Sequence, residues 1–274
     1  MKQKFNTLIL LGLAAASAWA GPIIYANNAG SPHIDLIDAA TGAVTSQFVI
    51  NGGSGNGRGV VVVGNTLYYT LASSGSVFTH DLTTNAEAPL FSVLGASGLS
   101  TIAFDGANFW IGDYSGTKKA YNYTPTGTLL STVTLGSCSS FCDGLEFFLQ
   151  GGQGRLISNR GDTQSPGIYD IYDTAGTLLQ SAFITVASNG RGIAFDGTNF
   201  RVAGSNTIST FDGTTGAFIS VQTIAGNRNF EDLSVDYTLV LPSNGVPEPG
   251  TFTMLGGGFV GLFFALRRRK VRAS

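Results

Sequence analysis

Residues 101–112 read TIAFDGANFWIG, and residues 192–203 read GIAFDGTNFRVA. Each places an apolar, strand-forming run on either side of Asp-Gly, the signature of two strands joined by a tight turn. Asp105-Gly106 and Asp196-Gly197 are expected to supply the positive φ angles of that turn. A weaker copy, GVVVVGNTLYYT, occupies 59–70 with Gly64-Asn65 at its centre. Helix signals are nearly absent around these copies, and short Val/Ile/Phe/Tyr runs alternate with Gly, Asn and Asp, so the fold class is all-β.

A second module follows each hairpin: hydrophobic-Asp, a short spacer, Gly, then hydrophobic residues. LIDAATGAV (36–44), IYDTAGTLL (171–179) and TFDGTTGAF (210–218) carry it in full. YNYTPTGTLL (121–130) keeps the glycine and puts Asn122 in the place of the Asp, while HDLTTNAEA (80–88) has Asn85 in the place of the glycine. Asparagine also tolerates the left-handed conformation. The turn positions are 42, 85, 127, 176 and 216, in steps of 43, 42, 49 and 40 residues. A unit of about 40–45 residues is the spacing of a four-stranded propeller blade.

The two ends of the repeat complement each other. EDLSVDY (231–237) aligns with GLEFF (144–148) and GIAFD (192–196), the first strands of blades, but no hairpin partner follows it. IIYANN (23–28) begins with a second strand and lacks a first. Residues 22–50 should therefore complete the last blade, pairing sheet edges that would otherwise be bare. The expectation is a five-bladed β-propeller over 21–241. A β-sandwich need not repeat, and an open β-solenoid would not need complementary half-blades. The match is to propellers as an architecture, not to a particular propeller family.

The chain's formal net charge is −2, but that figure hides an asymmetry. Between residues 21 and 246 stand 16 of the 17 acids and only eight of the 15 Lys and Arg, so that part is near −8. Phosphate contact depends on cations, so nucleic acid is a poor partner for this domain. Lys118-Lys119 is its one basic pair and reads as exposed strand surface. About 225 residues can enclose a sizeable core as one domain.

The remaining cations mark the ends. Lys2 and Lys4 precede LILLGLAAASAWA, which closes on Ala18-Trp19-Ala20. A charged start, a short apolar centre and small residues make residues 1–20 a secretory signal peptide, cut between Ala20 and Gly21. At the other end, 242–250 is a Pro-rich spacer, 251–266 carries no charge, and 267–274 holds Arg267, Arg268, Arg269, Lys270 and Arg272. As a transmembrane helix, 251–266 would rise roughly 24 Å, short of the ~30 Å hydrocarbon core, a gap that snorkelling can bridge. The cations should hold the C-terminus in the cytoplasm with the domain outside.

Val246-Pro247-Glu248-Pro249, the apolar run and the Arg cluster, in that order, resemble the PEP-CTERM sorting signal of Gram-negative bacteria. The resemblance covers about 29 of the 274 residues. It implies an exosortase-type processing enzyme as partner, passage through the inner membrane, removal of the tail near the motif, and release to the cell surface or an exopolysaccharide matrix. A permanent single-span anchor is the plainer alternative. Neither identifies the domain's activity.

Within the domain, aligning the first strands puts Arg58, Ser100, Asp143, Arg191 and Glu231 at one level of the central channel. Asp143, Arg191, Glu231 and Arg58 alternate in sign, which suggests a belt of interblade ion pairs. Asp143, Glu146, Glu231 and Asp232 could instead form the acid and base of a propeller glycosidase. Glu146 stands out, because the matching positions hold Val61, Ala103, Ala194 and Ser234. An acid among small residues is a candidate for a raised pKa.

Cys138 and Cys142 are the only cysteines, and an even count in an exported chain favours a disulfide over two free thiols. His33 and His80 fall at matching places in outer, half-exposed strands, and neither lies in a cluster with zinc-ligand spacing. No Asp-x-Asp-x-Asp-Gly calcium loop is present. Scattered loop aspartates could bind calcium weakly, but no metal site or cofactor is expected. Trp110 could stack on a sugar but reads better as interblade packing. The reading is an exported, non-enzymatic binding or scaffold propeller with polysaccharide as a candidate ligand. The alternative is an extracellular carbohydrate-active hydrolase.

Overall fold

The computed structural model describes residues 22–240, except 31, 115, 139–141 and 162–164. The signal-peptide expectation, the spacer 242–250, the apolar run 251–266 and the basic tail lie outside the described residues. Among the described residues no helix is long and apolar enough to cross a membrane.

The described residues form five four-stranded antiparallel sheets. The chain starts with β1 (Ile23–Asn28), β2 (His33–Asp38) and β3 (Val44–Val49). Blade 1 follows as β4 (Gly57–Val63), β5 (Thr66–Leu71), β6 (Ser74–Asp81) and β7 (Glu87–Ser92). Blade 2 is β8 (Leu99–Phe104), β9 (Phe109–Asp113), β10 (Lys119–Tyr123) and β11 (Leu129–Thr134). Blade 3 is β12 (Leu145–Gln150), β13 (Gln153–Asn159), β14 (Gly167–Asp173) and β15 (Leu178–Val186). Blade 4 is β16 (Ile193–Phe195), β17 (Asn199–Gly204), β18 (Thr207–Asp212) and β19 (Phe218–Thr223). Then β20 (Phe230–Ser234) joins the opening strands in the order β20-β1-β2-β3, and a single helical turn, α1 (Tyr237–Val240), ends the described chain.

Burial falls from the axis outward. The first strands β4, β8 and β20 are buried almost throughout, whereas the fourth strands β7, β11 and β19 are almost wholly exposed. A first strand lies between two neighbouring blades, so both of its faces must be apolar or hydrogen-bonded, hence GVVVV in β4. The buried apolar residues divide into five clusters, each lying mainly between two adjacent blades. Trp110 belongs to the cluster between blades 2 and 3. Its Nε1 donates to Asp105 Oδ2 at 3.1 Å, so its ring is used in packing.

The turns refine the sequence reading. All five turn positions are left-handed: Gly42, Gly127, Gly176 and Gly216 at φ 72°, 84°, 87° and 70°, and Asn85 at 58°. In four blades the preceding Asp Oδ1 accepts two backbone N–H bonds, as Asp38 does from Ala40 and Thr41. Those N–H bonds hold the Asp38, Asp81 and Asp173 carboxyls below the usual range. In blade 2 the capping group is Thr124, whose Oγ1 accepts from Thr128 N, while Asn122 is buried within β10. The equivalence assigned to Asn122 is therefore corrected by two residues. In the hairpins, Gly106 and Gly197 take positive φ (95° and 90°), but Asp105 and Asp196 do not. They cap the loops by accepting from Ala107 and Asn108, and from Thr198 and Asn199.

Cys138 and Cys142 are joined in a disulfide with a Cα separation of 5.8 Å, buried where blade 2 passes to blade 3. Loop-closure entropy for so short a ring is worth about 2 kcal/mol. Replacing both cysteines by serine should lower the thermal midpoint by roughly 4–8 °C, read by circular dichroism, with the fold retained. An unchanged midpoint would show that the bond restrains nothing.

Candidate functional site

The first strands converge so closely that one level of the axis has little room for side chains. A Cβ on Gly59 would come within 2.7 Å of Ile102 N, one on Gly144 within 2.2 Å of Arg191 O, and one on Gly192 within 2.1 Å of Asp232 Cα. Glycine is needed there because backbone meets backbone. That convergence brings the residues on either side of the glycines together across the axis.

Above the glycine level, Arg58 is the hub. Its Nη1 lies 2.6 Å from Glu231 Oε2 and 3.9 Å from Asp143 Oδ2. Its Nη2 donates to the Tyr114 hydroxyl at 3.0 Å, and the guanidinium carbon sits 4.4 Å from the centre of the Tyr114 ring. Arg191 Nη1 pairs with Glu231 Oε1 and donates to Asn229 Oδ1 at 2.8 Å. Glu231 thus bridges cations from the blades on either side of it, while Arg58 reaches past blade 2 to blade 3. Ser100, at the same level, donates to Cys142 O at 2.9 Å and ties blade 2 to the disulfide loop. Arg58, Asp143 and Glu231 are buried. Their attraction is therefore set against a substantial desolvation penalty, and the cluster is better understood as fixing blade register than as adding net stability.

At and below the glycine level, β20 is stitched to β4 in a regular ladder. Asp232 Oδ2 accepts from Val60 N at 3.0 Å, Ser234 Oγ from Val62 N at 3.1 Å, and Asp236 Oδ1 from Gly64 N at 2.9 Å. The period of two on both strands is that of a parallel pairing in which side chains stand in for carbonyls. Val62 and Asp236 form an isolated parallel bridge. The Thr101 hydroxyl of blade 2 also donates to Asp232, at 3.3 Å.

Glu146 repeats the Ser234 contact at another seam. Its Oε2 accepts from Phe195 N at 3.1 Å, and Phe195 occupies in blade 4 the position of Val62 in blade 1. Its Oε1 accepts from Phe147 N at 2.7 Å and from the Tyr237 hydroxyl. Tyr237 opens α1, is buried, and packs edge-on against Phe104 with ring centres 5.9 Å apart. Tyr237, three residues beyond the end of β20, thus reaches from blade 5 to blade 3. Burial pushes the Glu146 carboxyl up to about 8, opposed by the Tyr237 bond. Burial likewise pushes Asp232 and Tyr237 well above their usual ranges, Glu146 adding to both shifts.

The four carboxylates considered for acid–base work are therefore all buried, and each has a partner in another blade. A glycosidase pair must face a substrate in an open cleft, whereas these side chains bond to one another and to backbone across the axis. Two open volumes among the described residues lie on the flanks: a groove of about 920 Å³ between blades 5 and 1, and a hollow of about 510 Å³ between blades 3 and 4. Sequence alignment placed the axial residues on one level but missed Tyr237 and the ladder. The alternation Asp232, Ser234, Asp236 in a strand expected to be apolar was the available signal.

The histidines need correction. His33 opens β2, while His80 is next to last in β6 and aligns with Ile37, so the two are not equivalent. The strand β6 is mostly half-buried, as expected, but His80 itself is only 2% exposed. Among the described residues no group of three or more His, Cys, Asp or Glu could hold a metal ion.

Residues 245–270 match the family described as the PEP-CTERM protein-sorting motif. A search of curated proteins found no match. Among solved structures, a chain from the crystal structure of a nidogen/laminin complex is similar with a TM-score of 0.57 and 12% identity, covering 82% of this chain and 100% of that one. A protein of unknown function from Bacteroides caccae is similar with a TM-score of 0.51 and 10% identity, covering 79% and 99%. At these identities the likeness concerns the fold alone.

The raised Glu146 pKa fixes the sign of a pH effect. Below about 4.5 the proton is held in folded and unfolded chains alike; between about 4.5 and about 8 only the folded chain holds it. Stability should fall as pH rises through that window and level off above it. Asp232 acts in the same direction. Glu146→Gln should make the decline of the denaturant midpoint between pH 5 and pH 9 shallower without abolishing it. An unaltered slope would mean that Glu146 does not carry its proton into the folded state.

Proposed function

We propose that this chain is a non-enzymatic binding or scaffold protein of the cell surface or exopolysaccharide matrix, directed there by its tail, which an exosortase-type enzyme processes at the inner membrane. The sorting motif at 245–270 implies an exported, membrane-associated protein, and the described domain is a five-bladed propeller. The observation that carries the non-enzymatic reading is the occupied axis. The site where five blades could direct functional groups at a substrate is taken up by Arg58, Glu231, Asp232, Glu146 and Tyr237 bonding to one another and to backbone.

Two further features fit this reading. The Cys138–Cys142 bond suits an oxidising compartment. The domain's cations are few, and Arg58, Arg160, Arg191, Arg201 and Arg228 are all held in ion pairs, leaving little positive surface for nucleic acid. On this reading residues 251–266 cross the inner membrane transiently, Arg267 to Lys270 stay on the cytoplasmic side, and cleavage near Val246–Pro249 frees the domain.

Intact mass spectrometry of chains from the medium, the cell surface and the membranes of a PEP-CTERM-processing host tests this. The released form should begin at Gly21, end near residue 249 and lack two hydrogens at the cysteines. Replacing Pro247, Glu248 and Pro249 by alanine should shift the chain to an untrimmed, membrane-bound form. Untrimmed chain dissolved in the cytoplasm would overturn the proposal.

A further inference from the structure

The groove between blades 5 and 1 is built from two facing sheets. Tyr25 pairs with Leu36 and Leu36 with Ser46, so these residues share the face of blade 5 that also carries Phe48. From blade 1, Leu67, His80 and Glu87 are cross-strand neighbours on the opposing face. The two walls meet where the His80 and Phe48 rings stack, with centres 4.5 Å apart and planes 16° from parallel. Loop residues Asn65 and Asn85, both exposed, stand at the rim, and Asp236 closes the end nearest the axis.

Three properties define an occupant. The groove's volume of about 920 Å³ is in the range of small-molecule and oligomer sites. Its lining includes two carboxylates, Glu87 and Asp236, and no Lys or Arg, so an anionic ligand would meet repulsion with no compensating cation. Tyr25 and Phe48, both half-buried, offer flat apolar surface beside the side-chain oxygen and nitrogen of Ser46, Asn65 and Asn85, which suits a ligand with apolar ring faces and a hydroxylated rim.

His80 supplies the independent observation. Its Nδ1 lies 3.2 Å from Glu87 Oε1, but its Nε2 is buried without a hydrogen-bond partner. A buried polar atom left unsatisfied is costly and calls for an explanation. Glu87 cannot turn to meet it, because its two oxygens also accept from Asn51 N and the Tyr69 hydroxyl. With Nδ1 facing a carboxylate, Nε2 is an acceptor in the neutral ring and a donor in the charged one. A hydroxyl group can satisfy either.

We propose that the groove between blades 5 and 1 binds a neutral oligosaccharide, with Tyr25 and Phe48 against the sugar rings and His80 Nε2 bonded to a ring hydroxyl. This rests on the binding reading above and names its site and ligand class. The chemistry selects uncharged sugars and rejects uronates of the same size.

The test uses the full chain, purified in a detergent without a sugar headgroup. It is screened against a panel of neutral hexose and pentose oligosaccharides alongside oligouronates of equal length. At least one neutral glycan should bind and shift the His80 imidazole resonances, while the uronates do not. Asn65→Ala and Asn85→Ala, at exposed sites, should each weaken binding by roughly threefold to tenfold. His80→Phe, which keeps a ring against Phe48, should lower affinity further with a near-native melting midpoint. Binding of uronates as tight as of neutral glycans, no neutral glycan bound across the panel, or binding unmoved by these variants would each overturn the proposal. Capture of cationic peptides instead would show that the carboxylates, not the rings, define the site. The export reading is judged by intact mass and stands or falls separately.

Discussion

The closure of the ring rests on one seam, where side chains of β20 satisfy backbone N–H groups of β4. A toroid of sheets must join its last blade to its first, and this chain does so twice over. Along the sheet, β20 pairs with β1, so the two ends of the domain share a blade. Across the seam, Asp232, Ser234 and Asp236 take the N–H groups of Val60, Val62 and Gly64. Without those acceptors three amides near the axis would be left without these partners, a situation that folded chains avoid. The same device, with Glu146 and Phe195, holds blade 3 to blade 4.

This use of carboxylates explains the chemistry at the hub. A buried acid that accepts backbone N–H bonds can be structural even with a strongly displaced pKa. Displacement alone is therefore an uncertain guide to catalysis. Asp232 and Glu146 are displaced because water is excluded, and water is excluded because glycines at 59, 144 and 192 let the first strands touch. Close approach, dehydration and raised pKa are three faces of one packing arrangement.

Much of the architecture was legible because it repeats. The hairpin at 101–112 recurs at 192–203, the turn glycines keep their spacing, and EDLSVDY needed a partner that IIYANN supplied. Axial residues could be aligned for the same reason. What the alignment could not carry was anything that occurs once. Tyr237 follows the last blade and has no counterpart to be compared with. Thr124 stands in for an aspartate by offering its hydroxyl from a nearby position, which a search for carboxylates and amides passes over. The groove between blades 5 and 1 joins residues far apart in sequence, Tyr25 to Asp236, and only closure places them side by side. His80 lay in a run that reads as half-exposed, and the stack with Phe48 of the neighbouring blade is what buries it.

The position of α1 has a mechanical consequence. Two residues separate it from β20, and it sets Tyr237 against Glu146 of blade 3. A tug on whatever lies beyond Val240 would therefore be delivered to the middle of the disc, not its rim. Force directed along β20 would strain its rungs to β1 side by side, so that they share the load and must fail together. A disc gripped in this way resists being unravelled from its own leash.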